Sequence, residues 1–285
     1  MNILFDASQC GLGNNGGSKT VIRSAQTLAG LGHAVAVCGR DFHTWVAHDF
    51  PQERCNYDTV IAVSAQDIPH ALSVKAYNHY WWMRGWEIWN MPESQLIERA
   101  RSIQMLTNAP HLTARLKAYD IYSDMVYAGL DLDVWEDTGG RSGDIGTLSQ
   151  SKHATKNVDF AWEVLTKGGL RSRFLCGGGN KDYEELKKLY QSCSIWLAPT
   201  ESEGFHQIPA EANLCGCVVV CGDYPHNGMD YANEDTAMVY HTMDECLECL
   251  RNPDYSRVPV MQAYLRDVVG DRETNMKRFA EVVGG

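Results

Sequence analysis

Short apolar runs and amphipathic stretches alternate along this chain in the order that an open α/β sheet requires. The apolar runs have the length and composition of buried strands, and they lie at residues 2–7, 34–37, 58–63, 74–77, 145–148 and 195–198. Helical spacing follows several of them, at residues 18–31, 93–105, 109–119, 158–166, 182–190 and 209–214. The pattern therefore predicts an α/β protein built of strand, loop and helix steps around parallel sheets.

A polar, glycine-rich stretch divides these steps into two groups. Residues 136–143, EDTGGRSG, have the composition of a linker. The chain has 285 residues, 44% of them hydrophobic, which is enough for two domains that each bury a core. We therefore expect one lobe over residues 1–137 and a second over residues 138–265, followed by a last helical segment, 266–285.

Charge and apolar content narrow the range of partners. The net charge of −11 argues against a chain whose affinity comes mainly from nucleic-acid phosphates or anionic lipid, because both need clustered Lys and Arg. No run of eighteen apolar residues occurs, and residues 1–6 are too short and too acidic for a signal peptide. The ten cysteines lie in contexts typical of reduced core thiols. These features predict a cytoplasmic protein without a transmembrane segment.

The most informative stretch, residues 199–220, PTESEGFHQIPAEANLCGCVVV, leads from a predicted strand end into a helix. In an open α/β sheet such a loop binds anions, because the first N–H groups of the helix have no partner and carry partial positive charge. Glu203 lies on the loop and Glu211 on the helix, where a carboxylate can hold ribose hydroxyls. The pattern predicts a nucleotide-sugar site. Two unrelated glutamates, on a surface loop and a core helix, are the alternative interpretation.

This stretch resembles the EGFG-x-P-x-x-E-A-x-A-x-G-x-P-V-V signature of glycosyltransferase family 4, with two departures. His206 replaces the second glycine, which bears on the donor-sugar preference, and Cys217 replaces the proline. The resemblance implies the GT-B fold, in which two Rossmann-like lobes face a central cleft and the C-terminal helix crosses back to the first lobe. It also implies retaining transfer from a nucleotide-diphosphate sugar, with no metal or other cofactor required.

The resemblance also implies roles for individual residues. Glu203 would act at the donor sugar as a catalytic residue, and Glu211 would hold the ribose. The implied donor-binding set comprises Gly16, Gly17, Lys156, Gly204, Phe205, His206, Gln207 and Glu211. Lys156 stands where the family has a diphosphate-binding lysine, whereas Thr147 replaces the arginine of that pair. Lys152 either compensates for the arginine or is an ordinary surface lysine.

Residues 79–89, HYWWMRGWEIW, follow the predicted fourth strand. His79 resembles by position the catalytic histidine of the family, which contacts the donor sugar, and a structural histidine in an aromatic cluster is the alternative. The aromatic residues form either an apolar corner of the core or an acceptor platform, since indole faces stack on sugar rings and on extruded bases. The platform would comprise Trp81, Trp82, Arg84 and Trp86.

Two short motifs raise the question of a metal. The D-L-D motif at residues 131–133 looks like the D-x-D metal motif of another glycosyltransferase fold. Its flanking residues, Gly129 and Trp135, instead resemble the turn that closes the first lobe in family 4. The C-L-E-C motif at residues 246–249 has no second cysteine pair at zinc spacing. We therefore predict that the protein binds no metal.

The leading hypothesis from the sequence is a retaining, metal-independent hexosyl- or pentosyltransferase. It would move a sugar from a nucleotide diphosphate, with UDP favoured, to a hydroxyl acceptor. That acceptor is either a soluble glycan or metabolite, or a 5-hydroxymethylated base in DNA such as that of phages. A non-catalytic GT-B protein that binds nucleotide sugars is the alternative, and a nucleotide-sugar epimerase of the same fold is disfavoured by the E-x7-E spacing.

Overall fold

The chain forms two compact units in a computed structural model that describes residues 1–13, 15–39, 50, 56–89, 91–140, 143–148, 154–175 and 182–285. The first unit comprises Met1–Gly129 and Arg272–Gly285, and the second Leu130–Asp271. The sequence placed the boundary at residue 137, whereas the first unit ends at Gly129. The backbone accounts for the difference, because the N–H of Leu130 donates to the carbonyl oxygen of Gly270 at 3.0 Å and joins the two ends of the second unit.

The first unit is built on a six-stranded parallel sheet. Its strands are β1 (Asn2–Ala7), β2 (Ala34–Gly39), β3 (Tyr57–Ala62), β4 (Ala76–Met83), β5 (Gln104–Thr107) and β6 (Asp124–Met125). They pair in the order β2-β1-β3-β4-β5-β6. The helices between them are α1 (Gly16–Gly30), α2 (Ile68–Ser73), α3 (Glu93–Arg101) and α4 (Pro110–Lys117).

The second unit repeats this plan with five parallel strands. They are β7 (Asp144–Leu148), β8 (Ser172–Leu175), β9 (Cys193–Ala198), β10 (Val218–Gly222) and β11 (Met238–Tyr240), in the order β11-β10-β9-β7-β8. The helices are α5 (Val158–Gly168), α6 (Tyr183–Gln191), α7 (Gln207–Leu214), α8 (Met243–Arg251) and α9 (Arg257–Tyr264). A short 3-10 turn, Ala154–Lys156, precedes α5, and a π-helical turn, Leu265–Val269, follows α9.

The last helix, α10 (Arg272–Gly284), packs within the first unit. Its Phe279 lies between Phe5 and Trp82, with ring centroids 6.1 and 5.1 Å away. The hydroxyl of Tyr80 donates to the carbonyl oxygen of Val282 at 3.2 Å. These contacts join the end of the chain to the core of the first unit.

Each unit has its own hydrophobic core. The core of the second unit includes Ile145, Val164, Leu197, Val220 and Cys246. The cysteines that the structure describes are free thiols, several of them buried. No helix in the described ranges is both long and apolar enough to cross a membrane.

Candidate functional site

Both sheets contain a point at which the strand order reverses. In the first unit β2 and β3 lie on either side of β1, and in the second unit β8 and β9 lie on either side of β7. The connections leave such strands in opposite directions, so the carboxyl ends border a crevice where α/β proteins bind ligands. Lys156 follows β7, and Glu203 and His206 follow β9. Three predicted donor-site residues therefore belong to the switch point of the second unit.

Lys156 and Glu203 form an ion pair at this switch point. Their two segments are joined by the backbone, because the N–H of Glu201 donates to the carbonyl oxygen of Thr155 at 2.8 Å. Burial lowers the pKa of Lys156 to about 8, although the negative charge of Glu203 acts in the opposite direction. The Lys156 ammonium is therefore poorly hydrated. An anion with more negative charge than a carboxylate, such as a diphosphate, could replace Glu203 as its partner.

The segment after β10 packs against the loop after β9. The carbonyl oxygens of His226 and Gly228 accept hydrogen bonds of 2.8 Å from the N–H groups of Glu203 and His206. Gly228 has a φ of +74°, and a Cβ at this position would collide with the carbonyl oxygen of Gly204. Glycine allows this approach because it has no side chain and tolerates positive φ. The contact fixes the backbone that carries both predicted donor residues.

His206 is the N-cap of α7 and is only 3% exposed. Its carbonyl oxygen accepts a hydrogen bond of 2.6 Å from the hydroxyl of Tyr231. Neither ring nitrogen has a hydrogen-bond partner among the described residues. Burial first, and the positive charge of Lys156 second, hold the pKa of His206 well below its usual range. The imidazole is therefore neutral near pH 7, with one donor and one acceptor nitrogen.

Helix α7 begins at Gln207, two residues before the predicted start. The first N–H groups of a helix have no partner within it, and here Gln207 and Ile208 supply them. Pro209 is tolerated at this turn because its missing N–H would be unpaired there in any case. The helix end, the Lys156 ammonium and the neutral ring of His206 together make a site suited to a diphosphate with polar groups attached.

Glu211 lies further along α7 and is buried against α6. It is 3% exposed, and the hydroxyl of Tyr190 donates to its carboxylate over 3.4 Å. Burial, and then the charge of Glu211, raise the pKa of Tyr190 well above its usual value. Glu203 and Glu211 thus contact different partners, an ammonium and a phenol. The structure brings Lys156, Glu203 and His206 together and buries Glu211 against Tyr190 of α6.

The remaining predicted residues of the second unit have simpler surroundings. The ring of Phe205 packs against Tyr231, with centroids 5.4 Å apart. Thr147 is fully buried within β7, so its side chain cannot take the place of the arginine that the family has there. Lys152 lies outside the described residues. Asp131 of the D-L-D motif is buried and accepts a hydrogen bond of 3.0 Å from the hydroxyl of Tyr183.

The glycine-rich loop of the first unit lies at the other switch point. Helix α1 begins at Gly16, two residues before the predicted start, because the side chain of Asn15 caps it by accepting the N–H of Ser18 at 2.8 Å. The guanidinium of Arg84 donates to the carbonyl oxygen of Gly17 over 2.5 Å. A Cβ on Gly17 would lie 3.3 Å from that guanidinium. Gly16, Gly17 and Arg84 are thus brought together.

Two carboxylates that the sequence analysis did not predict bind the backbone of the loops at the carboxyl ends of these strands. Asp67 is fully buried and accepts backbone N–H bonds from the loops after β1 and β3, at Gln9, Cys10 and Ser64. Glu87 accepts the N–H of Ala65 at 2.9 Å, and burial raises its pKa to about 7 although Arg84 opposes the shift. The signal that could have found them is an acidic residue shortly after a strand's carboxyl end.

The aromatic segment belongs to the core, which corrects the predicted acceptor platform. β4 runs over Ala76–Met83 rather than 74–77, because aromatic residues favour strands and a parallel sheet covered on both faces buries both sides of a strand. Trp81 and Trp82 are fully buried and Trp86 nearly so, which leaves their indole faces unable to stack on a sugar or base. Of the four predicted residues, Arg84 keeps some exposure.

His79 also needs correction as a catalytic residue. The longer β4 places it inside the strand, four positions before the carboxyl end at Met83. Its Nε2 lies 2.9 Å from the carbonyl oxygen of Val74, which precedes the strand. The ring therefore turns toward the amino-terminal side of the sheet, away from the switch point. These contacts fit the structural alternative.

Comparison with known proteins gives the fold. No family model and no curated protein matches the chain. Sucrose-phosphate synthase from Thermosynechococcus elongatus is similar with a TM-score of 0.75 at 11% identity, over 99% of this chain and 97% of its own. HepE of Anabaena, in complex with UDP-glucose, gives 0.75 at 12% over 99% of both chains. WaaG, a glycosyltransferase involved in lipopolysaccharide biosynthesis, gives 0.69 at 12% over 100% of both.

The chain has the GT-B fold. This confirms the fold class that the stretch around Glu203 and Glu211 predicted. At these identities the likeness is one of fold. In GT-B terms, the two parallel sheets described above are the two lobes, and the loop after β9 carries the resemblance to family 4.

Proposed function

We propose that this GT-B protein is a retaining, metal-independent glycosyltransferase that moves a sugar from a nucleotide diphosphate, with UDP favoured, to a hydroxyl group. The observation that carries the proposal is the convergence of Lys156, Glu203 and His206 on the N-terminus of α7, at the switch point of the second sheet. The family 4 resemblance of the same stretch supports retention. The UDP-glucose complex of HepE supports a UDP-sugar donor.

In the proposed reaction, the bond between the anomeric carbon and the diphosphate oxygen breaks. The acceptor oxygen bonds to the same face of that carbon, and its proton passes to the departing phosphate oxygen, so no protein base is required. Lys156 and the helix N–H groups stabilise the charge that develops on the diphosphate. When Lys156 exchanges Glu203 for the diphosphate, the Glu203 carboxylate can accept hydrogen bonds from sugar hydroxyls.

Glu211 is proposed to hold the ribose of the donor. Its carboxylate must then exchange the long contact with Tyr190 for hydrogen bonds of ordinary length from the ribose hydroxyls. Glu211→Gln keeps the shape and removes the charge, so it should raise the donor KM with little change in the unfolding midpoint. A KM unchanged from that of the unaltered protein would count against the ribose role.

The acceptor is proposed to be a soluble glycan or metabolite, or a 5-hydroxymethylated base in DNA. The net charge of −11 favours the soluble acceptor, because DNA binding depends on cationic surfaces. With the three indoles buried, Arg84 is the member of the predicted acceptor set that has exposed atoms to offer.

A donor screen tests the proposal. UDP- and GDP-sugars are incubated with the protein and with acceptors that include simple glycans and a hydroxymethylated duplex, and nucleotide release is measured. We expect UDP release from at least one UDP-sugar and a product with the anomeric configuration of the donor by NMR. Nucleotide binding in a calorimeter without release in any reaction would instead favour the non-catalytic binder. Inversion in the product would overturn the retaining mechanism.

A further inference from the structure

The ring of His206 is buried without a hydrogen-bond partner. Native proteins pair nearly all of their buried polar side chains, because an unpaired one costs folding free energy. The backbone of the same residue follows this rule, with its N–H bonded to Gly228 and its carbonyl oxygen to Tyr231. Neither ring nitrogen has a hydrogen-bond partner in the part of the chain that the structure describes. Among the described residues, both nitrogens therefore remain available to a bound ligand.

The neighbours of the ring indicate the chemistry of that partner. His206 caps α7, whose free N–H groups favour an anion, and it lies close enough to Lys156 for the ammonium to lower its pKa. The helix end and Lys156 both suit a bound diphosphate, so the ring nitrogens are considered separately. A phosphate oxygen accepts hydrogen bonds, so it would satisfy one nitrogen of a neutral imidazole and leave the other unpaired. Hydroxyl groups both donate and accept, and a sugar carries several of them beside the diphosphate.

Resting on the donor site proposed above, we infer that His206 hydrogen-bonds hydroxyl groups of the transferred sugar and determines which sugar the site accepts. The glycine at this position of the family 4 signature has no side chain with which to make such a contact. A site built to hydrogen-bond a hydroxyl discriminates strongly against an analogue that lacks it, because the protein group is then left buried and unpaired.

Calorimetry on the full chain can separate a sugar contact from a phosphate contact. The probes are UDP and UDP-glucose, with GDP and GDP-mannose as a second pair. His206→Phe keeps an aromatic ring and removes both nitrogens. We expect it to weaken binding of the nucleotide sugar about tenfold and to change binding of UDP or GDP less than about twofold. His206→Gln restores a donor and an acceptor and should recover most of the loss. His241→Gln, at an exposed ring beside Asp223, is the control and should change neither.

Deoxy analogues of the sugar then identify the hydroxyl. Removal of the hydroxyl that His206 contacts should weaken binding to the unaltered protein and cause no further loss in His206→Phe, as in a double-mutant cycle. Equal losses for nucleotide and nucleotide sugar in His206→Phe would overturn the inference, and so would affinities of this variant that are unchanged for both. If His206→Phe does not fold, His206→Leu, which also removes both nitrogens, is measured in its place with the same expected outcome. Failure of the unaltered protein to bind any of the four probes would instead remove the proposed donor site.

Discussion

The two switch points gather similar side chains and use them differently. In the first unit the charged side chains form hydrogen bonds with backbone groups. Asp67 and Glu87 accept backbone N–H bonds, and Arg84 donates to the carbonyl oxygens of Gly17 and Val63. Such hydrogen bonds stabilise the loops that they join, because each satisfies a backbone group in a site of low dielectric constant.

In the second unit two charged side chains pair with each other near a buried ring. Lys156 pairs with Glu203, and the nitrogens of His206 have no partner in the described chain. These contacts can be exchanged for those of a ligand at little cost to the fold. We therefore expect substitutions at the first switch point to lower the free energy of unfolding, and substitutions at the second to weaken UDP binding.

The largest effect is expected at the aromatic core beside the first switch point. Trp82→Ala removes a fully buried indole that packs on Phe279, and it should lower the free energy of unfolding by about 4 kcal/mol. Trp89→Ala, at a side chain that is 53% exposed, should change it by less than about 0.5 kcal/mol. Denaturant unfolding measures both. A stable Trp82→Ala protein with lost acceptor binding would restore the platform interpretation.

Asp67 should come next. Asp67→Ala removes a fully buried acceptor shared by the N–H groups of three residues and should lower the free energy of unfolding by about 3 kcal/mol. UDP affinity should change less than about twofold, because the residue belongs to the other unit. Glu98→Ala, on an exposed face of α3, is the matched control. Full stability combined with weakened UDP binding would reverse the contrast between the two switch points.

Lys156 should show the opposite behaviour. Lys156→Met keeps the length of the side chain and removes its charge, so UDP affinity should fall about 30-fold, or about 2 kcal/mol. Stability should stay the same or rise, because the buried ammonium is poorly solvated in the folded protein. Lys167→Met, which removes an exposed pair with Asp244, serves as the control in the same titrations. UDP affinity that survives the change at Lys156 would be incompatible with the proposed donor site.

The smallest expected effect is the pH dependence of the same lysine. Its pKa of about 8 in the folded protein lies below the usual 10.5, so between these values the unfolded chain binds more protons and stability rises with pH. UDP affinity should fall as the ammonium is lost around pH 8, roughly eightfold between pH 7 and pH 9. Calorimetry at both values tests this, with Lys156→Met expected to be flat. An equal slope in the variant would assign the effect to another group.

The sequence alone could predict most of the fold and the second switch point. Strand and helix order follow from local periodicity, and the loop that carries Glu203 and His206 is continuous in sequence. The end of β4 could not be predicted, because Trp81 and Trp82 are buried on opposite faces and leave no alternation to read. The predicted strand therefore stopped before His79, which the structure places inside β4.

Residues whose role depends on distant segments were also beyond local patterns. Asp67 joins the loops after β1 and β3, which lie more than fifty positions apart. The burial of Glu211 depends on Tyr190 in α6, a contact that the E-x7-E spacing does not encode. The spacing alone therefore identifies the helix and the loop, and the packing of the neighbouring helix decides what each carboxylate contacts.

A crystal structure of the protein with UDP bound would test the central claim most directly. We predict the diphosphate at the N-terminus of α7, within hydrogen-bond distance of the Lys156 ammonium and the first helix N–H groups, with Glu203 released from its ion pair. UDP bound away from the carboxyl ends of β7 and β9 would contradict the account.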